Sequence, residues 1–196
     1  GDIDGDGDMD IFSSDWIGNA PVKVYMNDGQ YGLPINQWTY KQVTNVHVQT
    51  FGLAFGDMDS DGLKDIVSGQ FWYKNPGADM LGNWIQNPLP TGMQAMLVTD
   101  VDGDNLPDIV AQKSESNLSL YWLEATDQTA TSWNSVLIGS VPLASHTLGA
   151  QGARISDIVP GGKPEIVVSS GNGIYYFTIP ALPQSGNWSK TLVNTN

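Results

Sequence analysis

The chain has 196 residues, with eight Lys and Arg against 21 Asp and Glu, so its formal net charge is −13. This balance argues against nucleic-acid binding, because phosphate recognition needs a basic surface. The absence of Cys and the presence of only two His exclude disulfides, thiolate chemistry and Cys-type zinc sites. No apolar run approaches the roughly 20 residues that cross a bilayer, so no membrane span is predicted.

The acidic residues concentrate in three segments that share one register: GDIDGDGDMDIF, GDMDSDGLKDIV and TDVDGDNLPDIV. Each segment has carboxylates at positions one, three, five and nine, followed by an apolar pair. Position seven would offer a backbone carbonyl, whatever its side chain. The candidate metal ligands are therefore Asp2, Asp4, Asp6, Asp8 and Asp10 in the first loop, Asp57, Asp59, Asp61, Leu63 and Asp65 in the second, and Asp100, Asp102, Asp104, Leu106 and Asp108 in the third.

Carboxylates at alternate positions repel one another in water, but a tight loop can point them at one cation whose oxygen ligands lie about 2.4 Å away. The sharp turn at position six needs a positive φ, which suits Gly7, Gly62 and Asn105. Calcium accepts this flexible, all-oxygen ligand set more readily than magnesium does. We therefore predict about three Ca²⁺ sites.

The EF-hand shares the first six loop positions but needs a bidentate Glu at position twelve and helices on both sides. Position twelve is occupied here by Ser13, Ser68 and Ala111, so these loops are not EF-hands.

A fourth copy of the loop lies in the segment RISDIVPGGKPEIVVSS. Asp157, Gly162 and Glu165 take positions one, six and nine, whereas positions three and five are Val159 and Gly161. The fourth segment therefore keeps the residues that favour the turn but lacks the carboxylates at positions three and five. We expect this degenerate loop, 157–165, to fold without a metal.

The loops start at residues 2, 57, 100 and 157, at intervals typical of propeller blades. Between them, an aromatic strand centred on Tyr25, Trp72, Trp122 or Tyr176 is followed by a lone Trp that opens another strand, at Trp38, Trp84, Trp133 and Trp188. Helical periodicity is absent. The sequence predicts an all-β fold, a β-propeller of about four four-stranded antiparallel blades, in one region 1–196 with approximate blades 1–44, 45–90, 91–142 and 143–196.

With these loops the chain resembles the FG-GAP/VCBS repeat family, the calcium-loop propeller blades of integrin α heads, fungal lectins and secreted bacterial proteins. Phe51-Gly52 matches the FG element of that family. The resemblance implies calcium and a propeller. It does not select one function, because members include lectins, adhesins and polysaccharide-degrading enzymes.

The first blade begins at its acidic loop without a preceding inner strand. Three arrangements are open: a compact four-bladed ring, a four-blade portion of a longer propeller, or copies that associate into a ring or filament. An open propeller would expose sheet edges, and the longer propeller is the favoured expectation.

No Cys nucleophile, G-x-S-x-G or H-E-x-x-H motif is present, and no acid/base pair stands out, so an enzyme is not favoured. The candidate ligand-binding residues are His47 and His146, expected at the channel mouth, Gln94 and Gln151, six residues before a loop on inner strands, and Arg154, which is expected near Gln151 in the last blade.

We predict a secreted, extracellular calcium-binding propeller for recognition or adhesion, with carbohydrate the favoured partner and a protein partner also considered. The alternatives are a portion of a polysaccharide lyase, or a structural subunit of an extracellular fibre or matrix.

Overall fold

The computed structural model describes residues 1–13, 21–27, 34–45, 50–77, 80–114, 117–143, 152–171 and 173–195. In these residues the chain is all-β, as predicted, and forms one three-stranded and three four-stranded antiparallel sheets. Helical structure in the described part is limited to two single 3₁₀ turns, Ile35–Gln37 and Pro183–Ser185.

The strands follow one another in each sheet in chain order. The first sheet contains β1 (Ile11–Ser13), β2 (Val22–Met26) and β3 (Thr39–Thr44). The second contains β4 (Leu53–Gly56), β5 (Asp65–Ser68), β6 (Phe71–Lys74) and β7 (Ile85–Pro88). The third contains β8 (Gln94–Thr99), β9 (Asp108–Ser114), β10 (Leu118–Ala125) and β11 (Trp133–Val141). The fourth contains β12 (Gly152–Ser156), β13 (Glu165–Ser170), β14 (Gly173–Thr178) and β15 (Ser189–Thr195).

Consecutive sheets pack face to face. Successive side chains of a strand point to opposite faces of its sheet, so one strand can contribute to two different cores. In the second sheet, Ile66 and Tyr73 belong to the core shared with the first sheet, whereas Val67 and Trp72 belong to the core shared with the third. A further core joins the third and fourth sheets and includes Trp122 and Phe177. Sheets covered on both faces explain why strands such as β5 are continuously apolar. This is the packing of propeller blades.

The first strands of successive sheets approach closely along one side of the molecule. The Ala95 N–H donates to the Gly69 carbonyl at 2.8 Å and joins β8 to the second sheet. At Gly52 a Cβ atom would lie 2.4 Å from the Cα of Met96, so only glycine fits there. The glycine of the Phe51-Gly52 element therefore permits neighbouring inner strands to approach each other.

Two predicted equivalences are wrong by one residue. A β-bulge in β8 pairs Ala95 with Ala111 and Leu97 with Val110, so Gln94 takes the register position of Gly152, one residue away from the position that counting back six residues from the loop predicts. A bulge adds a residue without changing the sequence pattern, so counting back from the loop misplaces Gln94.

The second wrong equivalence is in β2. Tyr25 pairs with Ile11 just as Tyr73 pairs with Ile66, so Tyr25 corresponds to Tyr73. Val24 takes the register position of Trp72. The aromatic residue in the first sheet lies on the opposite face of the strand.

Candidate functional site

The acidic loops lie side by side. The Lys64 ammonium donates to the Asp2 carbonyl and joins the second loop to the first, and the Lys163 ammonium donates to the Val101 carbonyl and joins the fourth to the third. A cleft of about 390 Å³ between the second and third loops is lined by both, including Asp57 and Asp100. The loops thus form one acidic rim.

The turn predicted at position six is confirmed in all four loops. The φ angles are +98° at Gly7, +89° at Gly62, +68° at Asn105 and +107° at Gly162. Asparagine tolerates this left-handed conformation better than most residues with a side chain, which explains its presence in the third loop.

The carboxylates at positions one and five hold the turn by accepting backbone hydrogen bonds. In the second loop, Asp57 accepts from the Gly62 N–H at 2.9 Å and Asp61 accepts from the Leu63 N–H at 2.9 Å. The same two bonds recur in the third loop, at 3.0 Å to Asp100 and 2.8 Å to Asp104. In the first loop, the Asp8 N–H donates to Asp6 at 2.9 Å.

The residue at position nine closes each loop from beneath, and it is buried in all four copies: Asp10, Asp65, Asp108 and Glu165. Asp65 accepts from the Met58 N–H at 2.8 Å and from the Asn75 N–H at 2.7 Å, so it ties the loop to the end of β6. Asp10 makes the corresponding bonds to Ile3 and Asn27. Burial raises the pKa of Asp65 and of Asp108 to about 7, although backbone hydrogen bonds oppose the shift.

The structure brings three carboxylates together in each of the first three loops. The groups, each with ligand oxygens within 4.8 Å of one another, are Asp2, Asp4 and Asp6; Asp57, Asp59 and Asp61; and Asp100, Asp102 and Asp108. Oxygens on opposite sides of a Ca²⁺ lie about 5 Å apart, so these donor sets fit that ion. Partial burial and then the neighbouring carboxylates raise the pKa of Asp4. The remaining candidate ligands, Asp8, Asp10, Leu63, Asp65, Asp104 and Leu106, lie beside these groups, and their role as ligands stays a prediction.

Lys74 is a residue of this rim that sequence reasoning missed. Its ammonium contacts the carboxylates of Asp59 and Asp61, the latter at 2.6 Å. The hydrogen bond from Lys74 lowers the pKa of Asp61, and the two carboxylates raise the pKa of Lys74. The strand register places Glu124 at the equivalent point of the third sheet. Only the register of β5 with β6 reveals this relation, because the turns between the strands differ in length.

In the fourth loop the closing residue is longer and makes a different pair of bonds. One carboxylate oxygen of Glu165 accepts from the Ile158 N–H at 3.0 Å and from the Val159 N–H at 3.1 Å. Asp157 at position one is exposed. The Glu side chain thus anchors a loop whose central positions are Val and Gly.

A second candidate region is a cavity of about 600 Å³ at the first strands of the second, third and fourth sheets. Arg154 lines it together with apolar residues and backbone, including Phe51, Met96 and Leu97. Gln94 lies at the start of β8, where its Oε1 is buried without a hydrogen-bond partner. His47, His146 and Gln151 lie outside the described residues.

The fold and the rim define a class: an all-β protein of propeller-type blades with an acidic loop before β1, β5, β9 and β13. Residues 2–68, from the first loop through β5, match the FG-GAP-like repeat family. This part of the chain is therefore similar to FG-GAP-like repeats, in agreement with the resemblance seen in the sequence, and repeats of this kind suggest a recognition or adhesion domain. The comparison with curated proteins gave no match.

In the part of the chain that the structure describes, no helix has the length and apolar character needed to span a membrane.

Proposed function

We propose that the chain is a secreted recognition module whose first three acidic loops each hold one Ca²⁺. The observation that carries this proposal is the repeated grouping of three carboxylates, with ligand oxygens within 4.8 Å, in loops that share one hydrogen-bond register. Nine carboxylates in three small volumes repel one another unless cations neutralise them.

The ions would have a structural role. The first three loops lead directly into β1, β5 and β9, and Lys64 connects two neighbouring loops. Calcium bound at the rim would offset the charge repulsion among the loop carboxylates, so its binding free energy would add to the stability of the fold. Loops of extracellular modules bind calcium at about 10⁻⁴ to 10⁻³ M, which suits a secreted protein.

Calorimetric titration of the calcium-depleted protein, together with thermal melts in EDTA and in calcium, tests the proposal. We expect a stoichiometry near three and a melting temperature that EDTA lowers well beyond any effect of added salt. Asp102→Asn should remove one site. Asp157→Asn, an equally conservative change in the fourth loop, should remove none. A melt that is identical in EDTA and calcium contradicts the structural role.

The recognition function is assigned to the cavity at the inner strands. Its lining combines the guanidinium of Arg154 with the apolar surface of Phe51 and Leu97 and with backbone groups. Such a mixture suits carbohydrate, which presents hydroxyl groups around an apolar ring face. Calcium bound at the acidic rim would stabilise the sheets that line this cavity.

A glycan array probed in calcium and again in EDTA tests the carbohydrate assignment. Binding that calcium supports and that Arg154→Ala reduces is the expected result. Leu182→Ala, which changes an exposed side chain elsewhere, serves as the control. Absence of binding across plant, algal and animal glycans contradicts the assignment, and it leaves the calcium proposal to its own titration.

A further inference from the structure

The closing acids of the second and third loops differ in how firmly they are held. Asp65 accepts hydrogen bonds from two backbone N–H groups, those of Met58 and Asn75. Asp108 accepts from the Val101 N–H at 2.9 Å, and no second backbone N–H reaches it among the described residues. Asp108, unlike Asp65, belongs to a group of three candidate calcium ligands. The closing acid that would contact the ion is therefore the less firmly held of the two.

A buried indole lies on the same face of the third sheet as Asp108. Trp122 pairs with Val110, which is two residues after Asp108, so the side chains of Trp122 and Asp108 are diagonal neighbours on one face. An aromatic side chain can span that separation. Trp122 is 0% exposed, and its Nε1 has no hydrogen-bond partner in the part of the chain that the structure describes. Buried N–H groups without an acceptor are rare in folded proteins, so this one points to a state in which an acceptor reaches it.

The Trp122 N–H acts on the Asp108 carboxylate even without a formed hydrogen bond. Burial raises the pKa of Asp108, and the Val101 N–H and then the Trp122 indole oppose that rise, so both favour the charged form. The charged form is the one that binds a cation. Trp72, the register equivalent of Trp122 in the second sheet, instead donates from its Nε1 to the Ala130 carbonyl at 3.1 Å. The two indoles thus differ in whether the N–H is available to a loop.

We propose that Trp122 is a positioning residue of the third loop, whose indole N–H donates to the ionised Asp108 carboxylate when calcium binds. The hydrogen bond would hold the carboxylate toward the ion and would satisfy the buried donor. This role rests on the proposed calcium sites, one of which it supports. Residues that orient a metal ligand without touching the metal change its affinity by about 10- to 100-fold when they are removed.

Proton–nitrogen NMR spectra of the tryptophan indole groups, recorded during a calcium titration, test this role. The Trp122 signal, assigned by its loss in Trp122→Phe, should move downfield as calcium binds, because a new hydrogen bond deshields the indole proton. Asp102→Asn, which removes the third site, should abolish that shift. The Trp72 signal should stay in place, because its N–H already donates to Ala130. The Trp133 signal should also not move downfield: its Nε1 is buried without a partner too, but the ring packs on the other face of the sheet.

Calorimetry measures the affinity in a background where Asp4→Asn and Asp59→Asn leave the third loop as the remaining predicted site. Adding Trp122→Phe, which keeps an aromatic ring but removes the N–H, should weaken calcium binding about tenfold. Adding Trp72→Phe, the matched change in the second sheet, should leave the affinity of the third loop unchanged. If Trp122→Phe does not fold, the calcium-dependent indole shift and its loss in Asp102→Asn still decide the question.

Each remaining outcome has a defined meaning. Indole signals that all stay in place while calcium saturates the third loop overturn the proposal, as does an unchanged affinity in Trp122→Phe. An equal loss of affinity in Trp72→Phe also overturns it, because the effect would then come from packing. A wild-type chain that binds no calcium overturns the calcium sites themselves and this role with them, whereas the other outcomes leave those sites standing.

Discussion

The second and fourth sheets have the same strand order and the same loop register, but their loops differ in the number of carboxylates. Position six has a positive φ at both Gly62 and Gly162, and a buried acid closes both loops. Asp59 and Asp61 stand where the fourth loop has Val159 and Gly161. The fourth loop therefore makes the turn without carboxylates at positions three and five. In the second loop these two carboxylates add negative charge, although Asp61 also accepts a backbone hydrogen bond within the turn.

The second and third loops share those carboxylates but differ in their countercharge. Lys74 contacts the acids of the second loop. Its register equivalent in the third sheet, Glu124, instead accepts a hydrogen bond from the Asn134 side chain at 3.1 Å. Loops with the same backbone turn thus differ in the charge that faces their carboxylates.

The largest expected effect tests what the second and fourth loops share. Asp65→Ala removes the acceptor for two backbone N–H groups, and Glu165→Ala does the same in the fourth loop. A buried donor left unsatisfied costs about 1–3 kcal/mol, so Asp65→Ala should lose about 3 kcal/mol of unfolding free energy, which lowers the melting temperature of a chain of this size by about 8 °C. The two hydrogen bonds to Glu165 are only partly buried, so Glu165→Ala should lose about 1 kcal/mol.

Calorimetry then separates the two loops. Asp65→Ala should also lower calcium binding, whereas Glu165→Ala should leave the titration unchanged. Equal loss of calcium binding in both variants would show that the fourth loop also holds an ion, contrary to our expectation.

The next effect tests how closely the neighbouring sheets approach. At Gly52 an added Cβ lies 2.4 Å from the backbone of Met96, whereas at Gly152, the same register position, the nearest atom is the Ser169 hydroxyl at 3.8 Å. Gly52→Ala should lose about 2 kcal/mol through overpacking, and Gly152→Ala should stay within about 0.5 kcal/mol of wild type. Urea denaturation measures both. Similar losses in the two variants would contradict the difference in crowding.

Features that recur along the chain could be predicted from the sequence. Three copies of one loop register, a fourth with Gly162 and Glu165 retained, and the tryptophans before the outer strands predicted the all-β sheets and the positive φ angles. The loop repeats because a single backbone turn dictates its residues.

Features that depend on pairing between strands could not be predicted from the sequence. The bulge in β8 moved Gln94, and the register of β6 brought Lys74 to the second loop. Neither leaves a periodic signal, because a bulge and a cross-strand contact depend on which residues face each other in the folded sheet.

A smaller effect is expected at the lysine of the second loop. Calcium must displace the Lys74 ammonium from Asp59 and Asp61, so Lys74→Met, which installs the residue found at this position in the first sheet, should raise the affinity of that loop about tenfold. Without calcium the variant should melt about 2 °C lower, because a partly exposed ion pair contributes little. Terbium luminescence measures the affinity. Lys74→Arg keeps the positive charge and should bind like wild type; a gain in affinity with Arg would argue against charge competition.

The smallest effect concerns pH in the calcium-free protein. Burial raises the pKa of Asp108 to about 7, above its value of about 3.9 in an unfolded chain. The folded state therefore holds more protons between these values, so the stability from the protonated acid is complete below pH about 4 and is lost as pH rises toward 7. Replacing Asp108 with Asn removes the ionisation, so the melting temperature in EDTA should decline less across this window than it does for wild type. Calcium favours the ionised carboxylates, so calcium should reverse the wild-type decline, and its affinity should rise with pH. A variant that follows the wild-type curve would place the titration elsewhere in the rim.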